Sequence, residues 1–400
     1  MLTSISWILA GTAGLLSIPI AVLFVEVIAA LNSITASKSE VSNPGEPRRV
    51  VVIVPAHNES VGVIPTIEDI KPQLSEGDRL IVVADNCSDD TAVVAAAAGA
   101  DVIARKDPEK IGKGYALGFA IADLGSNPPD FVVFIDADCR IQADMIRKLV
   151  AECDSIQRPV QACFLMKAPK DSPIDHSFAE FAWIIRNWVR PLGLRYLNCP
   201  VQLMGTGMIF PWDVIRAAPL ASGNLVEDLK LGLDLAAIGK PAKFFPFVIG
   251  TSDFPMTVKG TESQRQRWVQ GHIGLIVTRV PRLLFQAFTS RNLDLLVLAF
   301  DLLVPPLSLL GLLNVGVFLL TCLAVPFGLP GAAIEISAMN LMVFTVTVLF
   351  AWLKFGRDAL PARSFLKIGP LIVQKLRLYG QMLLGRGAAK WVRTDRGKLK

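Results

Sequence analysis

Histidine and tyrosine are scarce in this chain, with three of each among 400 residues. So few imidazoles, and no H-E-x-x-H, argue against a zinc site. The six cysteines (Cys87, Cys139, Cys153, Cys163, Cys199 and Cys322) fall into no C-x-x-C or finger spacing. Unpaired thiols of this kind fit a reducing, cytosolic setting for the catalytic part. Neither G-x-G-x-x-G nor G-x-x-x-x-G-K-[ST] occurs, so the sequence has neither a dinucleotide fingerprint nor a P-loop. Charge is also thin, at 19% of residues against 52% hydrophobic, and the mean hydropathy of +0.47 is too high for an ordinary soluble enzyme.

The apolar excess is concentrated. Trp7 to Leu31 is interrupted only by Glu26 near its end and is long enough to span a bilayer. Its flank lacks the Lys/Arg of a signal peptide, so a retained anchor is expected. Leu293 to Val325 carries Asp294, Asp301 and Pro305-Pro306, and reads as an interfacial helix up to the prolines followed by a span. Ile334 to Leu353 is a further span. No Lys or Arg occurs in Pro326 to Glu335, while Lys354 and Arg357 follow directly, so this loop is expected outside, the catalytic part and the tail in the cytoplasm and, with three spans, the N-terminus outside. Residues 354–400 hold 12 Lys/Arg against 2 Asp/Glu, a tail suited to an anionic membrane surface rather than to nucleic acid.

Between Arg48 and about residue 290 the pattern is that of a folded α/β unit, reached through a polar linker, Asn32 to Pro47. Val50-Val-Val-Ile-Val54, Arg79 to Ala84, Asp101 to Ala104 and Phe131-Val-Val-Phe-Ile135 read as buried strands. They alternate with helices over Ile64–Leu74, Thr91–Ala98 and Gly112–Asp123, which predicts a mostly parallel sheet. Beyond residue 150 the pattern loosens. His176 to Arg190 is helix-like, Gly205 to Phe210 and Phe244 to Ile249 are strand-like, and Glu227-Asp228 opens a helix closed by Gly239. Thr261-x-x-Gln264 looks like a capping box on a helix running to Pro281.

Open α/β sheets place ligands beyond the carboxyl ends of their strands. The Phe131 strand ends in Asp136-Ala-Asp138, two carboxylates at i and i+2 that point the same way and suit a hard cation such as Mg²⁺ or Mn²⁺ with a diphosphate. An Asp-x-Asp arises about once by chance in this composition, whereas Gln264-x-x-Arg267-Trp268 is expected about 0.01 times. Pro55-Ala-His-Asn-Glu59, Asp85, Asp136-Ala-Asp138, Glu227-Asp228 and Gln264-x-x-Arg267-Trp268, in that order and flanked by spans, resemble the membrane-embedded family 2 glycosyltransferases. These include cellulose, chitin, hyaluronan and exopolysaccharide synthases and ceramide glucosyltransferases. The resemblance covers roughly residues 50–280, and Trp391-Val-Arg-Thr is similar to a common ending of exopolysaccharide synthases.

The resemblance implies an α/β, GT-A-like nucleotide-diphospho-sugar-binding domain plus transmembrane helices. It implies nucleotide contacts from Glu59, Asp85 and Asp136, metal binding by Asp138, and Asp228 as the base, with Glu227 pointing elsewhere. Lys113, between two glycines at a helix start, is a candidate for the same nucleotide, or a solvated lysine. Gln264, Arg267 and Trp268 share a helix face; a guanidinium can grip a diphosphate and an indole can stack on a sugar. His272 lies one turn on, as a further member of that face or a packing residue. The expected layout is an N-terminal transmembrane helix (1–33), a linker (34–47), a cytosolic glycosyltransferase domain (48–290), an interfacial helix with two transmembrane helices (291–353) and a basic membrane-surface tail (354–400).

The function expected is inverting transfer from a UDP-sugar, aided by Mg²⁺ or Mn²⁺, to a hydroxyl of a lipid or growing glycan at the inner membrane. A nucleotidyltransferase and a non-catalytic membrane scaffold are the rival readings. The first leaves Gln264-x-x-Arg267-Trp268 unexplained, and the second should tolerate loss of the Asp228 carboxylate. Sugar, linkage and processivity stay open.

Overall fold

A computed structural model describes residues 2–33, 48–170, 175–327 and 331–383. The linker 34–47 and Trp391-Val-Arg-Thr lie outside the described residues. The elements run α1 (Leu2–Ser33), β1 (Val50–Ala56), α2 (Val63–Ile70), β2 (Arg79–Asp85), α3 (Thr91–Ala97), β3 (Asp101–Arg105), α4 (Lys113–Asp123), β4 (Phe131–Phe134) and β5 (Arg140–Ile141). They continue with α5 (Met145–Ile156), β6 (Val160–Lys167), α6 (Ser177–Ile184), α7 (Arg190–Tyr196), β7 (Met208–Pro211), α8 (Trp212–Ile215), α9 (Glu227–Ala237) and β8 (Lys243–Asp253). Then come α10 (Val258–Thr289), α11 (Leu293–Leu303), α12 (Leu307–Ala324), α13 (Ala332–Ala351) and α14 (Ile368–Leu383).

The strands form one eight-stranded sheet in the order β3-β2-β1-β4-β7-β6-β8-β5. Its first four strands are parallel, as expected from their unbroken apolar runs. The second half is mixed, so that four of the seven strand pairings are parallel. β7 runs antiparallel to both β4 and β6, and β5 antiparallel to β8, while β6 and β8 are parallel across a bulge between Ala162 and Cys163. Side chains alternate through the sheet. Val50, Val52 and Val54 belong to the core shared with α2 and α5, while Val51 and Ile53 belong to the core shared with α1, α4 and α7.

Register explains why the acidic groups meet. Ile53 of β1 pairs with both Ile81 and Phe134, so the residues after β1, β2 and β4 emerge at one edge. Because β7 is antiparallel, with Met208 opposite Phe134, its entry turn Gly205-Thr-Gly207 arrives at that same edge.

Two expectations about α10 need correction. Its N-cap is Thr257, whose side chain accepts from Gly260 N–H, whereas Thr261 is already helical and donates its hydroxyl to Pro255 C=O at 3.1 Å. Nor does Pro281 end the helix. The turns beyond it bury Leu283 and Ala287 against Leu295 and Leu298 of α11, and that apolar contact offsets the one backbone hydrogen bond a proline forfeits.

Three helices are long and apolar enough to cross a membrane: Trp7–Ser33, Leu307–Phe327 and Ala332–Gly356. They are pinned by polar pairs. Ser17 and Asn340 bond at 2.9 Å, and Thr321 and Ser337 at 2.9 Å. α1 also touches the sheet domain, where a Cβ on Gly193 of α7 would collide with the Glu26 carbonyl. There the Arg190 guanidinium binds Glu26 Oε2 at 2.5 Å and Asp301 Oδ1 at 2.5 Å, all three residues being buried. The single charge of the first apolar stretch is thus half of an ion pair with the sheet domain.

Candidate active site

The sheet edge opens into a pocket whose lining includes every expected site residue: Glu59, Asp85, Lys113, Asp136, Asp138, Asp228, Gln264, Arg267 and Trp268. Each is set by a different element. Glu59 follows β1 and anchors through its N–H to Thr91 Oγ1 at 2.8 Å. Asp85, the last residue of β2, is buried and held by Arg105 at 2.6 Å. Asp136 is fixed through its backbone N–H to Thr206 Oγ1 at 3.0 Å. Asp138 accepts from Ser252 Oγ at 2.6 Å, and Ser252 comes from the far strand β8.

Lys113 sits at the middle of the site. Its ammonium pairs with Asp136 and donates to Gly205 C=O at 2.5 Å. It therefore faces Asp136 rather than a solvated surface. Burial opposes its charge, but Asp136, Glu227 and Asp228 outweigh that and raise its pKa above the ordinary lysine range. Gly205 (φ +92°) makes this approach possible, since a Cβ there would come within 3.3 Å of Asp228 Oδ2 and 3.6 Å of Lys113 Nζ.

Glu227 does not point elsewhere, as expected from the sequence; it lines the pocket beside Asp228. Both occupy the first turn of α9. Burial first, and then the like charge of Asp228, push the Glu227 carboxyl up to about 7. Asp136 is also raised, by burial and by Asp138 against the opposing pull of Lys113.

Gln264, Arg267 and Trp268 form one wall through α10, and the Trp268 ring packs on Trp183 with centroids 4.6 Å apart. His272 is buried, with Nε2 donating to Leu302 C=O at 2.9 Å. Sequence reasoning missed Trp183, Arg186 and Asn187, which line the pocket from the π-helical turn Ile185–Val189 and the end of α6. The aromatic run around them was visible, but nothing in the spacing announced a π-bulge, a feature common at functional sites.

Asp136 and Asp138 fit a hard divalent cation. Their carboxylate oxygens lie within 4.8 Å of each other and of Cys139 Sγ. Burial raises the Cys139 pKa well above the usual range, which disfavours its thiolate, while the two carboxylates offer the oxygen donors that a hard cation takes. The pocket's charge points the same way. Six carboxylates (Glu59, Asp85, Asp136, Asp138, Glu227, Asp228) line it against the cations Lys113, Arg186 and Arg267, a field that repels a diphosphate unless a cation accompanies it.

A parallel half-sheet whose strand ends share one pocket with paired metal-suited carboxylates and a second acidic pair is the arrangement of a glycosyltransferase of GT-A-like fold. The chain belongs to the group described as Glycosyl transferase family group 2, whose profile matches residues 131–354, and the profile of Glycosyl transferase family 2 matches residues 51–200. Glucosyl-3-phosphoglycerate synthase of Mycolicibacterium smegmatis is 32% identical over 198 residues, 45% of this chain and 62% of that one. The synthase of the same name from Mycobacterium tuberculosis H37Rv is 39% identical over 98 residues, 23% of this chain and 29% of that one. The chain thus matches less than two thirds of the length of these relatives. Among solved structures, the mannosyltransferase PcManGT from Pyrobaculum calidifontis, in complex with GDP-Man and Mn²⁺, shares the fold, with TM-score 0.52 and 18% identity over 88% of this chain and 100% of that one.

Proposed function

We propose that this protein is a membrane-embedded, inverting glycosyltransferase that moves a sugar from a UDP-sugar to a hydroxyl acceptor at the cytoplasmic face of the inner membrane. One observation carries the reading: Asp136 and Asp138, Asp228, and the Gln264-Arg267-Trp268 wall all border the same pocket, though they lie up to 132 residues apart in sequence.

Glu59 and Asp85, at the β1 and β2 ends, receive the uracil N–H and the ribose hydroxyls, for which acceptor-only carboxylates are suited. Asp136 and Asp138 would hold Mg²⁺ or Mn²⁺, which when bound neutralises charge on the leaving diphosphate. Lys113 and Arg267 supply protein-borne positive charge, Arg267 through paired hydrogen bonds. Trp268 offers its face to the sugar ring. Asp228 takes the proton from the acceptor hydroxyl, whose oxygen attacks the anomeric carbon opposite the diphosphate. A single displacement inverts the centre and gives a β-linked product from an α-linked donor.

The mycobacterial relatives named as glucosyl-3-phosphoglycerate synthases favour a glucose donor, while PcManGT was solved with GDP-Man. Membranes containing the protein, incubated with labelled UDP-sugars, GDP-mannose and Mn²⁺, decide between them. Transfer from one UDP-sugar into a lipid-soluble or polymeric product is expected. Transfer from GDP-mannose alone overturns the uracil assignment, and release of pyrophosphate overturns the class.

A further inference from the structure

A second cavity adjoins the pocket, and the established family assignment gives it no role. Leu23 of α1 and Pro305, Pro306 and Leu307 at the head of α12 bring two membrane-length helices to its wall, and Phe254 and Val269 extend the apolar lining. α14 crosses it, with the Tyr379 hydroxyl 2.8 Å from Ser308 Oγ, while Ile372, Val373 and Leu376 of α14 are left exposed. An amphipathic helix with an exposed apolar face beside two span-length helices lies at the level of lipid headgroups.

The charges in this apolar setting are all of one sign. Arg186, Arg190, Arg265 and Lys375 face the cavity, and among the described residues no Asp or Glu lines it. Arg190 is neutralised by Glu26 and Asp301, but no salt bridge to Arg186, Arg265 or Lys375 occurs among the described residues. Desolvation lowers the pKa of all three, that of Lys375 to about 8. Cations held this way cost free energy unless an anion joins them. A further polar atom is left over. His272 Nε2 donates to Leu302 C=O, so Nδ1 is the bare acceptor nitrogen, buried without a partner, and it calls for an O–H on the ligand rather than for the phosphate charge.

α10 divides the two sites. Gln264 and Arg267 face the transfer pocket, Arg265, Val269 and His272 face the second cavity, and Trp268, with Trp183 and Arg186, borders both. We infer that the second cavity binds the phosphate headgroup of a membrane lipid between Arg186, Arg265 and Lys375, its chains lying against α1 and α12, and that this lipid is the acceptor presented to the transfer pocket. The acceptor half of the inference rests on the function proposed for the neighbouring pocket; the binding half does not.

The full chain in neutral detergent, titrated with dioctanoyl phosphatidic acid, tests binding. Dioctanoylglycerol and inorganic phosphate are expected to bind at least about tenfold more weakly, each lacking one half of the ligand. Arg265→Gln and Lys375→Gln should each weaken binding about tenfold, the worth of one charge-assisted contact, and leave UDP affinity within about twofold. Unchanged affinity in the Arg265→Gln/Lys375→Gln double variant overturns the site. Inorganic phosphate binding as tightly as the lipid overturns the lipid assignment in favour of a soluble anion. In membranes supplied with labelled donor, dioctanoyl phosphatidic acid should compete with the native acceptor and depress transfer. Binding without inhibition overturns the acceptor role alone. Loss of UDP binding by the wild-type chain would instead defeat the reading of the transfer pocket and leave lipid binding standing.

Discussion

Glu227 gives the active-site reading its sharpest test. Its carboxyl is pushed up to about 7, first by burial and then by Asp228, so near neutral pH it is about half protonated. A proton there removes one negative charge from beside the proposed base and changes the field in which the acceptor proton is taken. Turnover should then follow ionised Glu227, which rises about tenfold between pH 6 and pH 8 on that value. Stability should move the other way. The folded pKa lies above the unfolded value of 4.5, so the protonated group's contribution is complete below about 4.5 and is lost as pH rises through about 7. Nucleotide release at saturating donor from pH 5.5 to 9, with melting temperature followed in parallel, separates the two trends. In Glu227→Gln the acidic limb near pH 7 should vanish and turnover flatten between pH 6 and 8. In Asp228→Asn turnover should fall about 10²–10⁴-fold at every pH, with UDP affinity nearly unchanged. A limb that survives in Glu227→Gln would refute the coupling, and normal turnover in Asp228→Asn would move the base to Glu227.

Chelation should abolish transfer, and Ser252→Ala, which removes the Ser252 hydroxyl from the Asp138 carboxylate, should weaken Mn²⁺ activation about 10–100-fold; full activity in excess EDTA would falsify the metal assignment. Reporters after Lys400 and at Gly331 should read cytoplasmic and external respectively, and the same side for both would mean that α12 and α13 do not form two crossings. Arg190→Met strands Glu26 and Asp301 and should cost about 3–5 kcal/mol, read as a lower inactivation temperature in detergent. Adding Glu26→Gln and Asp301→Asn should recover most of that loss; no recovery would mean that Arg190 acts by packing rather than by charge.

The half of the sheet that carries Asp85 and Asp136 could be read from the chain because parallel strands, buried on both faces, spell unbroken apolar runs that stop at polar ends. β6 escaped because Gln161, whose amide donates to Thr206 C=O at 2.9 Å, looks like a surface residue until its buried partner is seen. The N-cap of α10 was misplaced by four residues because Thr257 and Thr261 are both plausible caps, and only the fold puts Thr261 against Pro255. Site residues carried by a motif were visible. Ser252, Arg186 and the inward turn of Glu227 were not, since each depends on contacts between segments remote in sequence. No local spacing encodes such contacts.

Arg190 meets its two carboxylates across 164 residues toward the N-terminus and 111 toward the C-terminus. During synthesis the first partner is already present when Arg190 emerges, and the second does not yet exist. The sheet domain therefore reaches its final packing around Arg190 only after α11 has been made, so that step waits on the segment that leads into α12. A fragment cut to residues 48–290 would lose both carboxylates at once and keep the arginine, leaving a buried charge without its partners. Attempts to express it alone should yield a protein that binds chaperones, or becomes tractable only when Arg190 is replaced by an apolar residue.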